Sequence, residues 1–313
     1  MNPRALSIVV LLVLSVTPVQ IQPYARNIAK AEEYLARHFN GNLQLIYESE
    51  DPGPHWLRCE FTSFQWRYNQ TYWLYSDNLF AYLALRSHYP ELSDRIRTAI
   101  QSYRQPPADF FEVLGGERIQ LPLHDAQDFI VAQSDSHVVL IRRHNSTRLA
   151  FGNYVDFWMY EALEYALEYN LASAVFLVHR AEALWRGNGL SDWSFTVFDH
   201  MFSNQKLALL LFTARAIGIR LVHEDEMEAH LWSMQNDDGG IASLSYPNGK
   251  KAGSANAETT ALTILIYNQQ LLAHFPKVEI PTISASVTMA ILPLVMVLLL
   301  LLSYGNKRRV LIV

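Results

Sequence analysis

Apolar residues recur at three- and four-residue spacing through Ile28 to Phe39, Leu74 to Tyr89, Tyr154 to Tyr169, Leu171 to Trp185, Lys206 to Ile217, Met227 to Met234 and Thr260 to Leu272. That period turns one face of each segment toward a core and predicts helices. Asn170 alone separates two of them, as expected of antiparallel neighbours. Between Phe110 and Gly152 the period changes. Arg118 to Leu123, Phe129 to Gln133 and His137 to Arg143 alternate or run in β-branched residues, with Ser134-Asp135-Ser136 between the last two. A small β insertion is therefore expected at about 117–151.

A weak repeat runs through the helical part. FNGNLQLIYES from Phe39, WRGNGLSDWSF from Trp185 and QNDDGGIASLSY from Gln235 each place glycine and then an apolar residue after a helix. Each leads on to a helix with a polar head: Ser76-Asp77-Asn78 before LFAYLAL, Ser203-Asn204-Gln205-Lys206 before LALLLF, and Asn256-Ala257-Glu258-Thr259 before TALTIL. A fourth head, Asn153-Tyr154-Val155-Asp156, opens FWMYEALEYAL. Hairpins of this kind stack side by side, because one alone cannot bury its apolar face.

The stretch Leu231 to Ile266, with Gln-Asn-x-Asp-Gly-Gly-Ile between two helices, resembles the repeating unit of the α/α toroids. Terpenoid cyclases, prenyltransferase β subunits, complement-like thioester domains and many glycan-active enzymes share that scaffold. The resemblance implies a mainly α fold over 24–275: an α/α toroid, complete or partial, with the β insertion inside it. In it the polar-headed helices form an inner ring, and Gly240 takes a backbone conformation open mainly to glycine. The resemblance does not name a reaction.

Both ends of the chain speak about location. Residues 1–22 set Arg4 ahead of an apolar run from Ala5 to about Val16, the layout of a signal peptide or a short N-terminal anchor. Residues 283–304 are long and apolar enough for a transmembrane helix, and Lys307, Arg308 and Arg309 in the 305–313 tail mark its cytoplasmic side. The tail from Phe275 through the 276–282 linker into ILPLVMVLLLLL resembles those of archaeal surface proteins, although Glu279-Ile280-Pro281 departs from their Pro-Glu-Phe-Pro-like element. NYVDFWMYEALEYAL and NQKLALLLF look like toroid-type archaeal surface proteins without an assigned activity. The expected location is the cell membrane, with a single span and the bulk of the chain extracytoplasmic. Sequons at Asn69 and Asn145 fit an exposed location.

Composition narrows the function. Cys59 is the single cysteine, so no intrachain disulfide forms. A net charge of -5 without a basic run in the body argues against a nucleic-acid partner. No metal or cofactor is expected. His223-Glu224-Asp225-Glu226 with His230 lacks the His-Glu-x-x-His spacing of a zinc protease, and reads better as a solvated helix start. The acidic motif of class II terpene cyclases, the zinc set of prenyltransferases and the Cys-Gly-Glu-Gln of thioester domains are all absent.

If the helical array closes, its polar heads gather at one mouth. Asp77, Asp156 and Glu258 are then the candidate catalytic residues, and Lys206, Trp73, Tyr154, Trp158 and Trp193 the candidate substrate-binding ones. Tyr75 belongs to the same aromatic set. Carboxylates among aromatic rings suit a saccharide, whose apolar faces stack while its hydroxyls take hydrogen bonds. Two carboxyl groups at the right separation serve as acid and base in glycosidic cleavage. Against this stands a simpler role, because Asp, Asn and Glu at helix heads also serve as caps. Two functions remain open: an extracytoplasmic domain acting on or binding surface glycans, with hydrolase or lyase chemistry, and a non-catalytic cell-envelope scaffold or protein-interaction module.

Overall fold

The computed structural model describes residues 24–50, 68–103, 110–148 and 153–278. The segment 1–22, Cys59, the span 283–304, the tail 305–313 and most of the 276–282 linker lie outside them. Among the described residues no helix is long and apolar enough to cross a membrane.

Four helices with polar heads form the centre: α2 (Leu79–Leu85), α4 (Val155–Leu167), α7 (Asn204–Ile217) and α9 (Ala257–Leu265). They pack in the order α2, α9, α7, α4. Around them lie α1 (Ala25–Arg37), α3 (Pro90–Ser102), α5 (Leu171–Glu182) and α8 (Glu224–Ser233), with short α6 (Trp193–Val197) and α10 (Gln269–Leu272). Every residue of α7 is buried except Gln205 and Arg215. A helix surrounded on all sides needs no amphipathic stripe, and LALLLFTARAI has none. Gly218 ends α7 with φ 76°, the left-handed conformation that glycine adopts without steric penalty. In α9, Asn256 caps the helix by accepting from Thr259 N at 2.9 Å. Thr260 and Thr263 are buried there because each hydroxyl donates to the carbonyl four residues back.

Strands fill the rest, and they correct the fold expected from the sequence. The strands are β1 (Phe39–Asn40), β2 (Leu45–Ile46), β3 (Thr71–Trp73), β4 (His124–Ser134), β5 (His137–Arg148), β6 (Phe202–Ser203), β7 (Ala242–Ser245) and β8 (Lys251–Ala255). They make three sheets, ordered β1-β2, β3-β5-β4 and β6-β7-β8. The chain is thus mixed α/β and not the mainly helical toroid of the sequence reading. Between α4 and α2 no helical pair closes a ring among the described residues. A 3₁₀ segment, Phe110–Gly115, packs on both helices there, beside the β3-β5-β4 sheet. Glycine punctuation and a polar head report how one helix stops and the next starts. They do not report what lies between successive pairs.

Several local expectations shift for physical reasons. Arg118 to Leu123 is not a strand: Arg118 reaches Glu164 at 2.5 Å and Glu168 at 2.6 Å, and Ile119 N donates to Glu164, so the segment is pinned along α4. The β4–β5 hairpin also pairs with β3, parallel to β5, with Trp73 opposite Leu140. The segment Ile241 to Ala255, between the two helices of the Leu231 to Ile266 stretch, carries the β7–β8 hairpin. The helix expected from Leu74 begins as a five-residue π turn, Leu74–Asn78. Gly240 has no positive φ; its neighbour Gly239 does, at 98°. Gly240 is glycine for space, since a Cβ there would sit 2.5 Å from Tyr34 and 2.6 Å from Ala255.

Candidate functional site

The N-termini of α2, α4, α7 and α9 surround one cavity of about 310 Å³. Gln205 at the head of α7 donates to Glu258 at the head of α9 across 2.7 Å. Lys206 ion-pairs with Asp156 at the head of α4 across 3.1 Å. The wall includes Glu48, Trp73, Asp77, Arg142, Asp156 and Glu258, with Phe110, Phe111, Phe157 and Tyr160 giving it apolar surface.

Each acid arrives by its own device. Asp77 stands in the π turn ahead of α2, a backbone form found often at functional sites. The turn is fixed by Asn78, whose side chain accepts from Ile46 N at 2.7 Å and donates to Ile46 O and Trp73 O. Glu48 follows β2; its N donates to Thr71 O and its O accepts from Ala257 N, which ties it between β3 and α9. Asp156 and Glu258 lie in the first turns of α4 and α9.

None of the three sequence candidates caps its helix. Asn256 caps α9, and neither α2 nor α4 has a side-chain cap from its N-cap residue. Capping does not account for them, although Asp156 has a structural partner in Lys206.

Burial sets their protonation. Asp77 is only 2% exposed and is pushed well above the usual carboxylate range, first by desolvation and then by the charges of Glu48 and Glu258. Glu48 is pushed up to about 8 by desolvation and by Glu258, against a Trp73 Nε1 hydrogen bond of 3.1 Å that opposes the shift. Glu258 rises to about 7 through desolvation, with Arg142 pulling it down and Asp156 pushing it up. Its surface is half-buried, and the open part borders the cavity. The positive ends of four helices do not outweigh this loss of water.

The other candidates fall in different places. Lys206 is buried beside the cavity and joins Asp156 to Asp192, the latter at 2.6 Å, with its ammonium 4.7 Å from the Tyr154 ring. Asp192 in turn accepts from Val155 N and Ser194 N, locking the starts of α4 and α6 together. Trp73 is on the wall. Trp193 is exposed and stacks on Tyr154 with centroids 6.2 Å apart, and Tyr154 meets the wall residue Phe157 at 6.0 Å. Trp158 is buried under Arg180, away from the cavity. On a helix it points away from Asp156 two positions earlier. Tyr75 is a core residue.

Sequence reasoning missed Glu48 and Arg142, as well as the phenylalanines of the 3₁₀ segment. Glu48 sits in Glu-Ser-Glu after a two-residue strand and carries no local signal. Arg142 is carried in by β5, whose placement depends on its long-range parallel pairing with β3.

In the acidic helix start, Glu226, four residues before His230, meets His223 at 3.3 Å. Glu224 binds Arg215 at 3.0 Å, and His230 meets Ser245 Oγ at 3.3 Å. Among the described residues no group of three His, Cys, Asp or Glu is placed to hold a metal ion. No family model, curated protein or solved structure matches this chain.

Proposed function

We propose that the cavity binds and hydrolyses a saccharide by carboxyl acid–base chemistry, in a domain held outside the cytoplasm by its C-terminal apolar segment. The observation that carries this reading is the set of four carboxyl side chains, from four separate elements, on one wall with aromatic rings. Glu258, holding its proton to about pH 7, is suited to give that proton to the glycosidic oxygen as the C–O bond breaks. Asp156, ion-paired to Lys206, is suited to take a proton from the water that attacks the anomeric carbon. Trp73 and Phe157 give the ring faces of a sugar an apolar wall.

The test is hydrolysis of a panel of oligosaccharides by the full chain, followed by Glu258→Gln and Asp156→Asn. In the first variant the introduced amide still presents an oxygen to Gln205, and in the second Lys206 keeps Asp192. Each substitution is expected to lower turnover about a hundred-fold or more with the circular dichroism spectrum unchanged. Undiminished turnover in both, or no cleavage of any glycan by the parent chain, contradicts the reading.

A further inference from the structure

The cavity holds more acid than the protein neutralises. Glu48 faces it from the end of β2, Asp77 from the π turn, Asp156 from α4 and Glu258 from α9. Against these stand two cations among the described residues. Arg142 of β5 is also bound to Asp128 at 3.1 Å. Lys206 of α7 is committed to Asp156 and Asp192. Asp77 Oδ1 receives Ser76 Oγ at 3.2 Å, but Asp77 Oδ2 is buried without a hydrogen-bond partner. Native proteins satisfy nearly all buried polar atoms, so an orphaned oxygen on a cavity wall marks a place for a donor from outside.

We infer that the saccharide taken by this cavity carries an ammonium group, as an amino sugar does, with that group seated against Asp77 Oδ2 and Glu48. The inference rests on the saccharide reading above and names its substrate class. An ammonium brings three N–H donors and one positive charge. A sugar hydroxyl brings one donor and no charge, so it satisfies the orphaned oxygen and leaves the excess of acid as it was.

Protonation gives the inference its own signature. Burial leaves Glu48 holding its proton up to about pH 8 and pushes Asp77 up as well. A cation seated against Glu48 and Asp77 favours their ionised forms, so its binding expels protons from them into solution and leaves Glu258 the proton it gives to the glycosidic oxygen. A neutral sugar leaves the protons where they are.

The experiment is calorimetric titration of the full chain at about pH 5.5, where the sugar amine and Glu48 both carry their protons, in two buffers of different ionisation enthalpy. The two probes are a glucosamine oligosaccharide and its N-acetylated counterpart of the same length. The glucosamine oligosaccharide is expected to bind about ten-fold tighter or more, with net proton release, and the acetylated one without release. Asp77→Asn should bring the two affinities together. The proton-release measurement on the parent chain stands even if that variant does not fold. Equal affinities, or binding of the amino probe without proton release, overturns the inference. Cleavage of the neutral probe at the same rate as the amino one overturns it too, and leaves the hydrolytic reading in place. Tight binding of the amino probe without cleavage does the reverse, and binding of neither contradicts both.

Discussion

The two ends of α7 and α9 handle charge differently. At the C-terminal end, Arg215 pairs with Glu224 at 3.0 Å and Glu228 at 3.1 Å. Tyr267 OH donates to Glu228, and Trp232 Nε1 donates to Tyr267 at 2.7 Å under the stacked ring of Tyr24. Each acid there has a partner. At the N-terminal end, about 14 Å along the axis by helix rise, Lys206 pairs with Asp156 and Asp192, but Asp77 keeps an unsatisfied oxygen and Glu48 and Glu258 hold protons instead of ion pairs. The same two helices therefore carry a structural network at one end and a chemically poised cluster at the other. Residues of α7 mark the division: only Gln205 and Arg215 are not buried, and each serves one end.

The largest expected effect comes from breaking the paired end. Arg215→Met removes the cation from two partly buried carboxylates and should destabilise the fold by about 3 kcal/mol in urea denaturation at neutral pH, because an uncompensated buried charge is costly. Asp77→Asn, at the unpaired end, should be neutral or stabilising by about 1 kcal/mol at pH 8, where the native acid is under pressure to ionise. Equal losses in the two variants would erase the distinction between the ends.

Next in size is the dependence on pH. Glu48 and Glu258 have folded-state values raised from 4.5 to about 8 and about 7. A raised value means that the folded state binds the proton more tightly. Their contribution is therefore full below pH 4.5 and is lost as pH rises through about 7 and 8. The melting temperature should fall by about 5 °C or more across that window, and Glu48→Gln should flatten the fall. A melting temperature that stays level or climbs with pH there would mean that neither carboxyl group holds its proton in the folded state.

The smallest effect is expected at the rim. Trp193 is 58% exposed and stacks only on Tyr154 among the described ring contacts. Trp193→Ala should change stability by less than about 0.5 kcal/mol. It should weaken oligosaccharide binding by about five-fold, the worth of one aromatic stack. Unaltered affinity in a direct titration would confine sugar binding to the cavity.

How much of this is legible in the sequence depends on the range of the interaction. Polar heads on apolar helices are local features, and Asp77, Asp156 and Glu258 can be picked from them; the structure has all three around one cavity. Helix period also locates α4, α5 and α7 to within a few residues. The α/α toroid extrapolates wrongly from the same local signals, since β3 joins β5 across more than sixty residues and no periodicity in either segment announces it. Helix α3 escapes the apolar period, although Pro90 in its first turn is a start signal. Trp158 is close to Asp156 in sequence but not in space, because two positions along a helix turn the side chain to another face. Glu48 is out of reach, because its position comes from backbone bonds to Thr71 and Ala257.

The central claim is that Glu48 and Glu258 at the cavity end store protons where the acids of the other end store ion pairs. Carbon-detected NMR of the side-chain carboxyl groups, followed from pH 4 to 9 on the parent chain and on Glu48→Gln and Glu258→Gln, reads this directly. The account predicts carboxyl resonances that titrate near pH 7 and 8, each lost in the matching variant. If every carboxyl group in the protein has finished titrating by about pH 5, the range of ordinary solvated acids, the cavity holds no stored protons and the claim is wrong.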